Sequence, residues 1–250
     1  MTTRRSILMP LKPLALSVSI AAIGLVGCST TDKTTTGSVP KGISKSLAQM
    51  NAAELNRASQ LWAAEYQKRP KDKSVGMNYA QTLRMTGRTE QALAVMQQMV
   101  IHHPNDNQVL AAYGKAQADA GQFEGALNSI RRAQTPDQPD WKLLSAEGAI
   151  LDQLGRPNQA RPLYRKALDI KPNDPGVTSN LGMSYLLEGD LATAESYMRQ
   201  AIRMPGADSR VRQNLALVVG LPGRFDEAEK IAIAELSKEQ AAQIFAYLRS

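Results

Sequence analysis

Residues 182–194 read GMSYLLEGDLATA, and three small residues in this stretch, Gly182, Gly189 and Ala194, set the pattern of the whole chain. The second glycine belongs to a series whose members are evenly spaced along the chain: Gly87, Gly121, Gly155, Gly189 and Gly223. An alanine follows each of them at a constant distance, at Ala92, Ala126, Ala160, Ala194 and Ala228. Such regular spacing indicates an array of equivalent units rather than one irregular domain.

The length of the period indicates what each unit is. A period of about 34 residues, as in this glycine series, is typical of tetratricopeptide repeats, in which every unit is a pair of antiparallel α-helices. The chain resembles this family over about residues 50–236, and the resemblance implies an all-α fold, a right-handed superhelical solenoid. With the glycine series at position 15, five full repeats are predicted, at 73–106, 107–140, 141–174, 175–208 and 209–236. A solenoid needs about three repeats for stability, so this array is long enough.

Incomplete units are predicted at both ends of the array. Residues 47–69 resemble the second half of a repeat, with Ala58 one period before Ala92, and are predicted to form one capping helix. Residues 237–250 begin with the capping-box pattern Ser-Lys-Glu-Gln and continue with apolar residues at helical spacing. The repeat domain is therefore assigned to 47–236, with a C-terminal capping helix after it.

The repeated small residues have separate roles. Position 8 is small in every repeat, so that the first helix can pack closely on the second: Ala80, Gly114, Gly148, Gly182 and Ala216. Glycine at position 15 can end the first helix in the left-handed conformation without strain, and the alanine series marks the crossing of the two helices. Pro162 fits only if the second helix of the third repeat begins late enough to hold it in the first turn. Pro222 is expected to shorten the first helix of the fifth repeat.

Residues 1–27 have the plan of an export signal. Two arginines, Arg4 and Arg5, precede an apolar run from Leu14 to Val26, which is shorter than the roughly 20 residues of a membrane-spanning helix. The run ends in Leu-Val-Gly-Cys28, which resembles the lipobox of bacterial lipoproteins and implies cleavage before Cys28 and lipidation of Cys28. The alternative is an unmodified cysteine at the end of a signal sequence.

The residues after Cys28 indicate how the repeat domain is attached and to which membrane. Residues 28–46 are polar and lack apolar periodicity, so they are predicted to form a flexible tether. In lipoproteins resembling this one, an aspartate after the cysteine favours retention in the inner membrane. Ser29 stands there instead, which implies a lipid anchor in the bacterial outer membrane, facing the periplasm.

The composition argues against several classes of function. The formal net charge is +7 but is spread along the chain without a basic run with interleaved aromatics, so nucleic-acid binding is not expected. A single cysteine provides neither an internal disulfide nor a cysteine zinc site. The two histidines, His102 and His103, are adjacent in a predicted loop and are interpreted as solvated. Known phosphate-, dinucleotide-, zinc- and calcium-binding motifs do not occur, so no enzymatic activity, cofactor or metal is expected.

A stack of helix pairs offers a concave surface that is lined by the first helices. Helical rotation places positions 2, 6, 9 and 13 on one stripe, which is the candidate binding face. Position 6 holds Asn78, Asn180 and Asn214, and an amide can both donate to and accept from a peptide backbone. Arg210 and Arg84 are possible charge partners. We hypothesise that Asn180→Ala with Asn214→Ala weakens partner binding without changing the melting temperature; the alternative is that these asparagines are merely tolerated at exposed positions.

The C-terminal part of the array carries a narrower resemblance. Residues 208–232, DSRVRQNLALVVGLPGRFDEAEKIA, preceded by GMSYLLEGDL at 182–191, resemble the TadD-type lipoproteins of tight-adherence (Flp) pilus assembly. The resemblance implies an outer-membrane lipoprotein that supports assembly of the pilus machine through contacts with its secretin and neighbouring proteins. The alternatives are a pilotin-like or scaffold lipoprotein of another envelope machine, such as type IV pili, cell-wall or outer-membrane assembly, and an enzyme module, which the missing chemistry argues against.

Overall fold

The computed structural model describes residues 39–40 and 42–233. These residues form one short 3-10 helix, Leu47–Gln49, and eleven α-helices, with no strand among them, which confirms the predicted all-α fold. The predicted signal segment 1–27, the lipidation site Cys28 and the predicted capping helix 237–250 lie outside the described residues. The α-helices are α1 (Ala52–Lys68), α2 (Lys73–Met85), α3 (Thr89–His102), α4 (Asn107–Asp119), α5 (Phe123–Ala133), α6 (Trp141–Gln153), α7 (Pro157–Ile170), α8 (Pro175–Leu187), α9 (Leu191–Ala201), α10 (Ser209–Gly220) and α11 (Phe225–Ile233).

The helices pack as successive pairs, α2 with α3, α4 with α5, α6 with α7, α8 with α9 and α10 with α11. Helix α1 packs on α2. The first helices of neighbouring repeats also contact one another along the array, and they do so more extensively than the second helices of neighbouring repeats. The first helices therefore form the inner, concave side of the array, because the more closely spaced layer of a curved stack lies inside.

An aspartate begins every first helix, and these residues form a further series with the same spacing as the glycines: Asp72, Asp106, Asp140, Asp174 and Asp208. Each side chain accepts a hydrogen bond from a backbone N–H of the first helical turn, for example at 3.1 Å from Val75 to Asp72. Replacing such a cap by alanine costs about 1 kcal/mol. The aspartate series thus defines the repeats as clearly as the glycines do, although the sequence analysis did not single it out.

The glycine at position 15 follows the end of each first helix, and its backbone lies in the left-handed region. Gly87 has a φ of 73°, and the following residue, Arg88, donates its backbone N–H to the carbonyl oxygen of Leu83 at 2.8 Å. This bond closes a Schellman motif, which satisfies a helix-end carbonyl and reverses the chain into the second helix. A side chain at Gly87 would meet open space, so the constraint there is the backbone conformation and not packing.

Pro162 does not have the position in its helix that the sequence predicts, whereas Pro222 has the predicted effect. Helix α7 begins at Pro157, so Pro162 is its sixth residue and lies beyond the first turn, contrary to the expected late start. The missing N–H of Pro162 deprives the carbonyl of Asn158 of its partner, and both residues are exposed, so that water can take the bond. Helix α10 spans 12 residues where the other four first helices of the repeats span 13, consistent with shortening by Pro222.

The N-terminal end of the described chain packs against α1. The side chains of Ile43 and Leu47 contact the buried cluster that contains Ala58 and Trp62. Lys45 also forms a 2.7 Å ion pair with Glu54 in the first turn of α1. The last residues of the segment predicted as a tether therefore take part in the packing of the first unit.

Candidate functional site on the concave face

Two asparagines of the predicted binding stripe connect neighbouring repeats. The side-chain amide of Asn180 in α8 donates to Ser145 Oγ in α6 at 3.2 Å, and that of Asn214 in α10 donates to Ser179 Oγ in α8 at 3.1 Å. Both asparagines are half-buried. The structure thus places them on adjacent helices in equivalent contacts. An amide can make further hydrogen bonds, so their role in ligand binding stays a prediction.

The other predicted site residues are separated from this pair. Asn78 donates to the carbonyl oxygen of Ser74 in its own helix at 2.8 Å, three repeats away from Asn180. Arg84, in the same helix as Asn78, forms an ion pair with Asp119 of the next repeat. Arg210 lies one turn before Asn214 and donates to the capping aspartate Asp208 at 2.7 Å. The five residues therefore form two groups, one at each end of the concave face, and not one site.

A lysine that the sequence analysis passed over lies between these groups. Lys115 occupies position 9 of the second repeat, on the concave stripe, and is half-buried. Burial lowers the pKa of its ammonium group, and the positive charge of Arg84 lowers it further. Lys142, at position 2 of the third repeat, adds to this effect, whereas Asp140 and Asp119 oppose it. Its side chain makes no hydrogen bond and no ion pair within residues 42–233.

The C-terminal end of the same stripe is apolar. Leu217 stands at position 9 of the fifth repeat and is 44% exposed, and the position-13 residues Leu187 and Leu221 are 48% and 56% exposed. Met183, at position 9 of the fourth repeat, belongs to the same stripe and is half-buried. The concave stripe therefore carries Lys115, Asp119 and Lys142 in its second and third repeats, and exposed leucines together with Arg210 in its last two.

A half-buried carboxylate lies at the centre of the array. Asp152, at position 12 of the third repeat, accepts hydrogen bonds of 2.8 Å from Tyr164 and from Ser184. Next to it Arg161 is ion-paired with Glu188 and stacks over the Tyr185 ring, 4.5 Å from its centroid. Burial raises the pKa of Asp152 despite these hydrogen bonds. We assign this network to the joint between the third and fourth repeats, because the bond from Ser184 to Asp152 and the ion pair of Arg161 with Glu188 both connect the two repeats.

Other kinds of site find little support in the described part of the chain. No cluster of three or more histidine, cysteine, aspartate or glutamate side chains there could hold a metal ion. None of the described helices is both long and apolar enough to cross a bilayer. The stripe on the first helices is the surface to which every repeat contributes. Its amide and apolar side chains are groups that can contact a bound polypeptide.

The chain is thus a helical repeat protein, an array of helix pairs whose first helices line a concave surface. Two family models described as tetratricopeptide repeat match it, one at residues 153–218 and the other at 79–141 and 112–175. Together they span residues 79–218, more than half of the chain. The chain belongs to the tetratricopeptide repeat family.

Known relatives agree with this assignment. The chain is 30% identical over 128 residues to the TPR repeat-containing protein PA4667 of Pseudomonas aeruginosa, a match that covers 50% of this chain and 21% of that protein. It thus spans about a fifth of the length of this curated relative. A tetratricopeptide repeat protein from Parabacteroides merdae has a similar structure, with a TM-score of 0.69 and 13% identity over 79% of each chain.

A third comparison extends over nearly the whole of another protein. The thermophilic TPR protein TTC0263 of Thermus thermophilus gives a TM-score of 0.63 at 20% identity, covering 71% of this chain and 98% of that one. At such identities the likeness shows the fold. Tetratricopeptide repeats are protein-interaction modules, and the chain is accordingly a protein–protein interaction scaffold; proteins of this fold are in general non-catalytic.

Proposed function

We propose that this chain is a lipoprotein of the bacterial outer membrane that acts as an interaction scaffold in the assembly of Flp (tight-adherence) pili or of their secretin. The repeat array supplies the scaffold. The lipid anchor is proposed from the sequence Leu25-Val26-Gly27-Cys28, which stands at the end of an apolar run too short to span a bilayer. Several acyl chains on one cysteine provide lasting attachment, because each buried methylene contributes about 0.8 kcal/mol.

The assignment to Flp pili rests on the resemblance of residues 182–191 and 208–232 to TadD-type lipoproteins. These stretches include the second half of α8 and all of α10, the two helices whose apolar residues lie at the C-terminal end of the concave face. A partner of the pilus machine would then contact the part of the array that carries the resemblance. In this arrangement the lipid holds the array at the inner surface of the outer membrane, where secretin subunits arrive.

The test is a deletion strain of the bacterium that encodes the chain, complemented with wild type or with Cys28→Ser. Three quantities are measured: assembled secretin in the outer membrane, surface Flp pili, and incorporation of labelled palmitate into the protein. Loss of secretin and pili in the deletion strain, restored by wild type but not by the Cys28→Ser form, is the expected result.

Two other outcomes point elsewhere. Normal secretin and normal pili in the deletion strain would overturn the assignment to Flp pili and favour a scaffold lipoprotein of a different envelope machine, whose partner crosslinking along the concave face would identify. Absence of labelled palmitate in the wild-type protein would overturn the lipid anchor, whatever the effect on pili.

A further inference from the structure

The positive charge of the chain is concentrated in its N-terminal unit, residues 39–72. This unit holds six lysines and arginines against three acidic residues, a net charge of +3: Lys41, Lys45, Arg57, Lys68, Arg69 and Lys71 against Glu54, Glu65 and Asp72. The five repeats, from residue 73 to residue 233, hold 18 lysines and arginines against 17 acidic residues, a net charge of +1. The repeats are therefore close to neutral, and most of the excess positive charge after Cys28 belongs to the unit that precedes them.

Part of this charge lies on the side of α1 that faces away from the repeats. Leu55 and Trp62 are buried on the opposite side of the helix. Arg57 and Lys68 are both exposed and lie on one stripe, because a spacing of eleven residues is three helical turns and about 20°. Ala64 lies between them on this stripe and is also exposed. Its side chain is small, so the two cations protrude from the helix.

The acidic residues of the unit leave these cations available. Glu65 is 3.1 Å from Arg69 and 3.5 Å from Lys68, whose side chain is still 70% exposed. Within residues 42–233, the side chains of Arg57 and Lys71 form no hydrogen bond and no ion pair, and both residues are exposed. An anionic surface can therefore approach this side of α1 without breaking a close ion pair.

The predicted lipid anchor is near this unit in the chain. Cys28 precedes Gly42 by 14 residues, which span at most about 50 Å when fully extended. Directly after Gly42 the chain packs on α1, where Ile43 and Leu47 contact the cluster that contains Trp62. The fifth repeat lies four repeats further along the array than the first. The N-terminal unit is thus the part of the array that the anchor would hold nearest to the membrane.

We propose that the exposed side of α1, with Arg57, Lys68 and the following Lys71, docks on the anionic phospholipid headgroups of the membrane that holds the lipid anchor. The negative potential of such a surface attracts each lysine or arginine that comes close to it. The acyl chains already hold the protein at the membrane, so this contact orients the array. The N-terminal unit lies at the bilayer, and the later repeats are held away from it, where a partner can reach their concave face. This inference rests on the proposed lipid anchor and adds a membrane-facing surface to it.

The test uses the lipidated mature protein, reconstituted into neutral vesicles of phosphatidylcholine or into anionic vesicles that also contain phosphatidylglycerol. A donor fluorophore is attached at Gln81→Cys, an exposed position of α2, or at Gln200→Cys, an exposed position of α9. Energy transfer to an acceptor lipid in the bilayer measures how close each position lies to the membrane. Flotation of the vesicles shows whether the protein is anchored to them.

Two double variants are compared in both donor backgrounds. Arg57→Gln with Lys68→Gln, the α1 variant, removes two cations from the proposed docking surface. Lys166→Gln with Lys171→Gln is the matched control, because it removes two exposed lysines from the third repeat and changes the net charge equally. Thermal melting checks that each variant is folded.

In anionic vesicles, energy transfer should be higher from the donor in α2 than from the donor in α9. The difference should shrink in neutral vesicles and in about 1 M salt, which screens the charges. The α1 variant should lower the ratio of docked to undocked protein roughly 30-fold, because each cation at an anionic surface accounts for a factor of about five. The control variant should leave the transfer unchanged, and both variants should still float with the vesicles.

The outcomes that would overturn the inference are distinguishable. Equal transfer from both donors in anionic vesicles, or a difference that the α1 variant leaves unchanged, would overturn the docking of α1 while flotation shows the anchor intact. Loss of secretin assembly by the α1 variant in the deletion strain, without a change in energy transfer, would assign this side of α1 to an acidic protein surface instead. Failure of the wild-type protein to float would overturn the lipid anchor and this inference with it.

Discussion

The hydroxyl group of Ser184 in α8 donates a 2.8 Å hydrogen bond to Asp152 in α6, and Tyr164 of α7 donates to the second oxygen of the same carboxylate. Three helices from two successive repeats thus meet at one acid. Burial raises the pKa of Asp152, and the negative charge of Glu188 adds to this, while the two hydrogen bonds and Arg161 lower it by less.

This relationship predicts a pH dependence of stability. Since the folded-state pKa of Asp152 lies above the unfolded value of about 3.9, its contribution is fully present below that value and is lost as the pH rises through the folded-state pKa. Asp152→Asn stays neutral, so we expect it to gain stability relative to wild type between about pH 4 and pH 7. Urea unfolding across this range measures the difference. Asp137→Asn in the exposed α5–α6 loop is the control, and a difference independent of pH would contradict the prediction.

The close packing of Gly148 against Tyr164 leads to a prediction about stability in the third repeat. A Cβ atom at this position would lie 2.7 Å from Cε1 of Tyr164, a buried ring that is held by its hydrogen bond to Asp152 and cannot shift away. We expect Gly148→Ala to lower the free energy of unfolding by about 1–3 kcal/mol. Gly121→Ala is a contrasting case, because no atom lies within 4 Å of its Cβ and its φ of 75° alone makes it unfavourable.

A double-mutant cycle separates the two causes. With Tyr164→Leu in the background, the cost of Gly148→Ala should fall, since the ring that meets the new methyl group is gone. The cost of Gly121→Ala should be the same in both backgrounds. Equal costs of Gly148→Ala with and without Tyr164 would show that the ring is not the obstacle.

The outer side of the fourth and fifth repeats carries an ion-pair network with the opposite pH dependence. Arg224 and Arg199 each approach Glu195 at 2.7 Å, and the hydrogen bond from Arg224 is the main cause that lowers the pKa of Glu195, with burial opposing it and Arg199 supporting it. The stability from this group is therefore present above the unfolded pKa and is lost as the pH falls through the folded-state value.

Glu195→Gln should accordingly cost less than about 1 kcal/mol at pH 7, as for other exposed ion pairs. The cost should shrink in about 1 M salt, because the ionic atmosphere screens the charges, and should disappear in acid. Chemical unfolding at two salt concentrations and two pH values checks both effects. Glu90→Gln on the exposed side of α3 serves as the comparison, and a loss that salt and acid leave unchanged would rule out the ion pairs as its source.

Repetition explains which features the sequence predicts. A residue type that recurs at the same position of every repeat signals a backbone or packing need common to all units, and Gly87 and Ala92 are each read in this way. Lys115 has no such support, because position 9 reads Gln81, Lys115, Ala149, Met183 and Leu217. Burial is the main cause that lowers its pKa, and the positive charges that add to this effect, Arg84 and Lys142, come from other repeats at other positions. A binding site that differs from one repeat to the next is invisible to a search for what the repeats share.

Pro162 shows a second reason for a wrong expectation. The rule that proline belongs in the first turn holds where the lost hydrogen bond cannot be replaced. In α7 the residue whose carbonyl loses its partner, Asn158, is exposed, so water can replace the lost bond and the helix can begin at Pro157 and continue through Pro162. The packing between repeats decides which face of a helix is exposed. The spacing of residues along the chain does not predict this exposure for every residue.

The asparagines of the binding stripe lead to a prediction in which stability and binding must be measured together. Asn180 and Asn214 donate to Ser145 and Ser179 of the preceding repeats, so replacing both by alanine removes two contacts between repeats. We therefore expect a loss of about 0.5–1.5 kcal/mol for each bond and a lower melting temperature, in contrast to the unchanged value expected from the sequence alone.

The two serines provide a matched control. Ser145→Ala with Ser179→Ala removes the same two hydrogen bonds, and also the 3.2 Å bond from Ser179 Oγ to Met198 Sδ, but keeps both amides on the concave face, so its stability should fall by at least as much. If the amides bind the backbone of a partner segment, the asparagine variant loses affinity for peptides that wild type selects from a random peptide library, while the serine variant retains it. Both variants are compared with wild type by fluorescence anisotropy at a temperature where all three are folded. Equal affinities in all three would assign Asn180 and Asn214 to the packing of the repeats alone.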